Sequence, residues 1–394
     1  MELSRHWGLD PDTIFLNHGS FGACPTAVLE YQRELQDRIE RQPVQFYVRD
    51  FETMLDSSRT VLAAFLDADP LDVAWVPNAT TGINAVLRSM RFAPGDELIV
   101  TNHEYGACRN TLDFVAERDG ARVVVVDIPF PIVGPAVVTD AIMSRVSSRT
   151  RLALLDHVTS QTGLVMPLED LVPLLKARGV ATLIDGAHAP GMIDLSISRL
   201  DPDYYSGNCH KWICAPKGCG FLYVRRELQQ QIRPVTISHG ARTRRTDRSK
   251  FLIEFDWPGT WDTTPALCVS RALTVMEDML PGGWPATRAA NRDKALGGRR
   301  VLCDALGTEP PCPDTMIGSL AALPIPDAPA DAAQSMSDLY GDPLQDTLLQ
   351  KWHIEVPIVP WPAHPKRLIR ISAQLYNNSD DYLQLASALR ELFP

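Results

Sequence analysis

Between about residues 70 and 225, short runs of Val, Ile, Leu and Ala alternate with stretches of helical periodicity. The apolar runs fall at 72–76, 97–101, 122–127, 152–156, 181–184 and 220–224. Most show no polar alternation, which suits strands buried on both faces rather than a sheet half open to water. Helical stretches occupy 80–90, 107–118 and 168–178. The last stops just before Gly179, a residue suited to the left-handed turn that ends a helix. Repetition of this kind is satisfied by an α/β layer, a mostly parallel sheet with helices on both faces.

The flanks read differently. Residues 26–66 are helical, with a strongly charged 30–41 segment. Past residue 265 a helix is expected over 266–279, ended by Pro281-Gly282-Gly283, and another over 286–306. Weaker strands follow at 317–323 and 367–372, with loops around Pro311 and over 324–333 and a last helix at 380–392. These elements predict a smaller α+β unit. A chain of 394 residues exceeds what one simple core organises, so two domains are expected.

The formal net charge of −10 argues against nucleic acid as a partner, which would call for a basic face. A local basic run at 242–250 reads as a solvated loop or as an edge that draws in an anionic substrate. No run approaches the ~18 apolar residues needed to cross a bilayer. The first twelve residues hold no apolar signal core, so a cytoplasmic location is expected. Eight cysteines form no regular framework and are expected to stay reduced. Cys209, Cys214 and Cys219 lack the short clips of structural zinc sites, so no metal is expected there.

The chemistry gathers around Lys211, one of only seven lysines. It follows Asn208-Cys209-His210 and precedes Trp212, on what reads as a loop over 206–209. Lys176 and Lys294 read as solvated helix residues. A lysine amine beside an apolar segment can be held uncharged and nucleophilic. Asp185 ends the run 181–184, where open α/β sheets bind ligands. An amine and a strand-end carboxylate about two dozen residues apart suit pyridoxal phosphate (PLP). The amine captures the aldehyde, and the acid keeps the ring nitrogen protonated. His188 can reach the same pocket. Asn78-Ala79-Thr80-Thr81-Gly82 opens a helix after a strand, and such a helix start accepts a phosphate. His103 and Tyr105 follow the next strand and offer a ring to stack on the cofactor. Arg370, a cation within the apolar 367–372 run, suits a substrate carboxylate.

With these residues in place, the chain resembles the PLP-dependent class V aminotransferase group of fold type I, and within it the isopenicillin N epimerase-like proteins. The likeness runs nearly end to end. It is carried by Leu16-Asn17-His18-Gly19-Ser20-Phe21-Gly22, His103-Glu104-Tyr105 and Ser160-Gln161-Thr162-Gly163. It continues through Asp185-Gly186-Ala187-His188, His210-Lys211-Trp212, Gly259-Thr260 and Arg370-Ile371-Ser372-Ala373-Gln374-Leu375-Tyr376-Asn377. The resemblance implies a large domain over 25–265 with a mostly parallel seven-stranded sheet between helices. It implies a smaller α+β domain from 1–24 and 266–394.

The same resemblance implies roles. Lys211 is the catalytic lysine, Asp185 pairs with the ring nitrogen, and His188 and Ser160 face the phenolic oxygen. Ala79 through its amide, Thr80, Thr81, Asn208 and His210 hold the phosphate. Tyr105 is the stacking ring, with His103 second. Thr260 reaches the phosphate of a neighbouring subunit, which implies a homodimer with shared active sites. Arg370 binds the carboxylate of a small amino-acid-like substrate under a loop carrying Asn17, His18, Gly19 and Ser20. The implied activity acts at the α-carbon through an external aldimine and a quinonoid, first as an epimerase or racemase. The alternatives are a C–S β-eliminating lyase, an aminotransferase, or a catalytically silent binding protein of the same fold. A desulfurase is disfavoured because 355–366 lacks a cysteine.

Overall fold

The computed structural model describes residues 3–329 and 341–393. Among them are twelve strands: β1 Ile14–Phe15, β2 Val73–Val76, β3 Glu97–Thr101, β4 Arg122–Val126, β5 Thr150–Asp156, β6 Ala181–Gly186, β7 Tyr204–Asn208, β8 Gly220–Val224, β9 Leu320–Ile325, β10 Ile354–Glu355, β11 Ile358–Pro360 and β12 Arg367–Ser372.

Seven of them form one sheet in the order β2-β8-β7-β6-β5-β3-β4. Only β8 runs against the others, pairing antiparallel with β2 and β7. The expected mostly parallel seven-stranded sheet is therefore present. Residues of β2, β3 and β7 are buried throughout, as strands covered on both faces should be. The edge strand β4 alone alternates exposed and buried positions.

Helices cover both faces. Ala79–Ser89 buries Ile83, Val86 and Leu87 and packs on β7 and β8. Its approach is so close that a Cβ at Gly82 would sit 2.1 Å from Ser206 Oγ. Leu168–Ala177 buries Leu171, Val172 and Leu175 on the other side, and Gly179 takes φ +69° just past its end.

The seventh strand, β7, corrects the expected loop over 206–209. Tyr-Tyr-Ser-Gly-Asn holds no aliphatic run, so its strand character comes from its place between β6 and β8. Ser206 is fully buried because its hydroxyl donates to the carbonyls of Phe221 and Ala79.

A second sheet, β11-β12-β9, is antiparallel and backed by the helix Gly283–Leu306, on which Ser379–Leu392 packs. The N-terminal segment joins it. β1 pairs with β10, and the Ser372 amide donates to the Leu16 carbonyl at 2.9 Å. That tether brings the glycine loop after Leu16 beside β12 and the C-terminal ends of the parallel strands.

Other expectations need adjusting. The 266–279 helix is two pieces, Thr264–Leu267 and Val269–Glu277, and the 317–323 strand is Leu320–Ile325. Pro324 and Ile325 of the expected 324–333 loop belong to β9, and 330–333 lie outside the described residues. Lys294 is not solvated. It is half-buried, donates to the carbonyls of Gln374 and Leu375, and is lowered to about 8 by burial. Within the basic run, Arg245 pairs with Glu52 and Asp247, and Arg248 with Asp56 and Asp256. Among the described residues no helix is long and apolar enough to cross a membrane.

Candidate active site

The parallel strands deliver their carboxyl ends to one edge of the sheet. Asn78 and Thr80 follow β2, Glu104 and Tyr105 follow β3, and Ser160 follows β5. Asp185 lies at the end of β6, His188 just past it, and His210 and Lys211 just past β7. This is where an open α/β sheet leaves a crevice. A cavity of about 340 Å³ there is lined by Asn78, Thr80, Tyr105, Ser160, Asp185, His188, Asn208, His210, Lys211 and Lys217. A neighbouring cavity of about 470 Å³ shares Ser20, Phe21, Tyr105, Ser160 and Lys211 and adds Gly19, Asn110, Gln161 and Arg370. The structure thus brings together Thr80, Tyr105, Ser160, Asp185, His188, Asn208, His210, Lys211, Arg370, Gly19 and Ser20.

Lys211 Nζ lies 2.9 Å from His188 Nε2. The Trp212 indole N–H, a donor only, points at His188 Nδ1 at 3.4 Å. The neutral ring therefore carries its proton on Nε2 and donates to the lysine lone pair. Burial and the nearby Arg370 charge lower the lysine to about 7, so the amine is available uncharged near neutrality. Burial and the Lys211 charge hold His188 well below the usual histidine range.

Asp185 accepts from Cys108 Sγ at 3.1 Å and from the Ala187 amide at 2.9 Å. Burial pushes its carboxyl up, while those donors and Lys211 pull it back. Arg370 is 5% exposed. Its Nη1 donates to the Ser160 carbonyl at 2.5 Å, and its Nη2 donates to Ser20 Oγ at 3.0 Å. Ser20 in turn donates to Asn17 Oδ1, and Asn17 donates to Glu355. The guanidinium is clamped from two sides and still borders the larger cavity.

Some expected residues sit elsewhere. His103 is fully buried, with Nδ1 on Thr162 Oγ1 at 2.8 Å and Nε2 on the Ile128 carbonyl at 3.0 Å. With both nitrogens engaged and its ring against Trp361, it does not line the cavity as a stacking ring would. His18 is also fully buried. It receives the Tyr376 hydroxyl and the Ala23 amide at Nδ1, so Nε2 donates to the Lys211 carbonyl at 3.0 Å. It holds the lysine backbone rather than facing substrate, and burial lowers it to about 3. The Ala79 amide donates to Asn208 Oδ1 at 2.8 Å, and Thr81 spends its amide and hydroxyl on Asn78 Oδ1. Thr260 is exposed on a loop and does not line the cavity.

The sequence alone gives no separate role to Asn78, Asp156 and Lys217, which line the smaller cavity, or to Gln161 in the larger one. Asn78 carried a signal, since a short polar residue before a helix is a common N-cap. None of the eight cysteines lines either cavity, and all are buried. The group Glu104, Cys108 and Asp185 brings one ligand atom each within 4.8 Å of the others.

The described donor set has three parts. A helix start with Thr80, His210 and Lys217 suits a phosphate. Asp185 at the other end suits a protonated ring nitrogen, and Lys211 between them suits an aldehyde.

The family profile described as "Aminotransferase class-V" matches residues 24–254. The chain is 31% identical to "Probable L-cysteine desulfhydrase, chloroplastic" of Arabidopsis thaliana, over 99% of this chain and 84% of that one. It is also 31% identical to the isopenicillin N epimerase of Streptomyces clavuligerus, over 98% and 96%. The solved complex of the cystine C–S lyase C-DES with cysteine persulfide superposes with TM-score 0.80 at 22% identity, covering 97% of this chain and 98% of that chain. That last likeness shows a shared fold.

Proposed function

The chain belongs to the class V aminotransferase family, and from that premise we propose a PLP-dependent enzyme acting at the α-carbon of an amino acid. The observation that carries the reading is Lys211. It is an amine lowered to about 7, set between Asp185 and the anion-accepting end of the cavity and bordering the Arg370 pocket.

Asp185 would hold the ring nitrogen and Lys211 the aldehyde carbon. Thr80, Asn208, His210 and Lys217 would hold the phosphate, and Tyr105 would cover the ring. When bound, the cofactor supplies a sink for the electron pair left at the α-carbon. Arg370 would grip the substrate carboxylate with its fork of donors. Lys211 Nζ, uncharged near pH 7, would accept the α-proton. His188 Nε2–H would orient that amine. Phe21 and the glycine loop would exclude water.

Epimerisation is the leading outcome, supported by the epimerase relative. Release of a β-sulfur group is the second reading, favoured by the desulfhydrase relative. A persulfide route finds no support, since no cysteine borders the cavities. We further propose a cytoplasmic homodimer in which Thr260 reaches the partner's phosphate site. Exposure of Thr260 in the single chain supports this.

The test is a panel of L- and D-amino acids and cysteine S-conjugates in deuterated buffer. Chiral analysis, deuterium at the α-carbon, and pyruvate or sulfide release separate the outcomes. A yellow protein that exchanges no α-proton with any of them would refute the reading.

A further inference from the structure

Glu104 follows β3 between His103 and Tyr105, and nothing proposed above uses it. Its side chain turns inward and is 6% exposed. Neither carboxyl oxygen has a hydrogen-bond partner among the described residues. One of its oxygens lies within 4.8 Å of both Cys108 Sγ and an Asp185 oxygen. Asp156 ends β5 directly beside Asp185 on β6, is 2% exposed, and leaves Oδ2 without a partner. Three buried carboxyls therefore crowd one end of the cavity.

The charges around them are few. Lys211 faces Asp156 and Asp185. Arg109, on the helix Gly106–Asp119, faces Glu104 from the Cys108 side. That arginine places its Nε on Asp113 instead. Three anions in so dry a place would repel one another, and neither Glu104 nor Asp156 has a side-chain donor to offset that. The negative charge belongs on Asp185, the member with a donor on each oxygen. Glu104, which has no side-chain donor and only the Tyr105 amide nearby, short of hydrogen-bond geometry, is the member that keeps a proton. A protonated carboxyl is an O–H donor, and Asp185 is a charged acceptor beside it.

We propose that Glu104 is a positioning residue, kept as the neutral acid, that holds Asp185 as the single carboxylate behind the cofactor ring. What Asp185 itself holds rests on the PLP reading. The protonation of Glu104 does not, so the two can fail separately.

The isosteric Glu104→Gln keeps a neutral donor, while Glu104→Leu removes it. Glu104→Gln holoenzyme is expected to bind PLP within ~3-fold of wild type, with an unmoved pH midpoint of its visible absorbance. Glu104→Leu is expected to bind ~10-fold more weakly. Two readouts use the apo-protein. Infrared spectra of wild type at ~pH 7 should show a protonated-carboxyl stretch that Glu104→Gln lacks.

Thermal unfolding supplies the other. A carboxyl that stays protonated in the fold but ionises when unfolded weakens folding as pH rises above its unfolded value, about 4.3. The midpoint should therefore fall less between ~pH 5 and ~pH 8 in Glu104→Gln than in wild type. An unchanged infrared band or an unchanged pH slope would overturn the proposal. So would a Glu104→Gln holoenzyme whose visible midpoint moves. If Glu104→Leu does not fold, Glu104→Gln and the infrared band still decide.

Discussion

His18 Nε2 donates to the carbonyl of Lys211 at 3.0 Å, across 193 positions of sequence. Three further contacts lock the pair. Tyr376 and Ala23 donate to His18 Nδ1, and a Cβ at Gly22 would sit 2.0 Å from the His210 carbonyl. The N-terminal loop is thus fastened to the backbone of the reactive lysine.

His18→Ala leaves the Tyr376 hydroxyl and the Ala23 amide without their acceptor and the Lys211 carbonyl with the Cys214 amide alone, a cost of about 1–3 kcal/mol. Thermal unfolding should shift down accordingly, and PLP should bind about tenfold more weakly in a spectral titration. Retention of wild-type cofactor affinity would show that the clamp does not orient Lys211.

The lowered lysine sets a pH dependence. The nucleophile is the unprotonated amine, so its fraction rises with pH and saturates above the lysine's own value. That value is about 7, against the usual range near 10.4 for lysine. Apo-protein mixed with PLP should gain visible absorbance at a rate that climbs through about pH 7 and flattens above it. A rate still climbing at pH 9 would contradict a desolvated Lys211.

Arg370→Lys keeps the charge but loses the fork that Ser160 and Ser20 hold. The loss should reach about 3 kcal/mol, roughly 10²-fold in kcat/KM for an amino acid. Binding of PLP should be unaffected. An amine without the carboxylate should lose little, and an equal loss for both would mean that Arg370 acts only on the fold.

The sheet was legible where aliphatic runs spell it out, as in β3 and β6. It was not at β7, whose Tyr-Tyr-Ser-Gly-Asn is buried by its neighbours rather than by its own apolarity. Arg370 could be singled out because a cation in an apolar strand needs a reason. His18 and His103 were placed at the ligand because a histidine reads alike whether it faces a pocket or a backbone carbonyl. Only long-range contacts separate those cases, and no local pattern encodes them. Glu104 is one letter of a motif in the sequence, and its dry, carboxyl-crowded surroundings exist only in three dimensions.

The last prediction concerns Asp185. Its two donors, Cys108 and the Ala187 amide, both point at a carboxylate. Asp185→Asn keeps the shape but presents an amide group toward one of those donors or toward the cofactor. It also removes the anion that a protonated ring nitrogen requires. Breaking one half of a buried ion pair costs about 3–5 kcal/mol, so kcat should fall by roughly 10²–10⁴. The lysine has its own stake in this charge. Asp185 raises it, so without Asp185 the Lys211 amine should drop further below about 7. The pH profile for cofactor capture should then move to lower pH in Asp185→Asn, while Lys211→Ala abolishes the borohydride-fixed adduct altogether. A profile that does not move would mean that the carboxyl is neutral in the wild-type protein and that its pairing role belongs to another group.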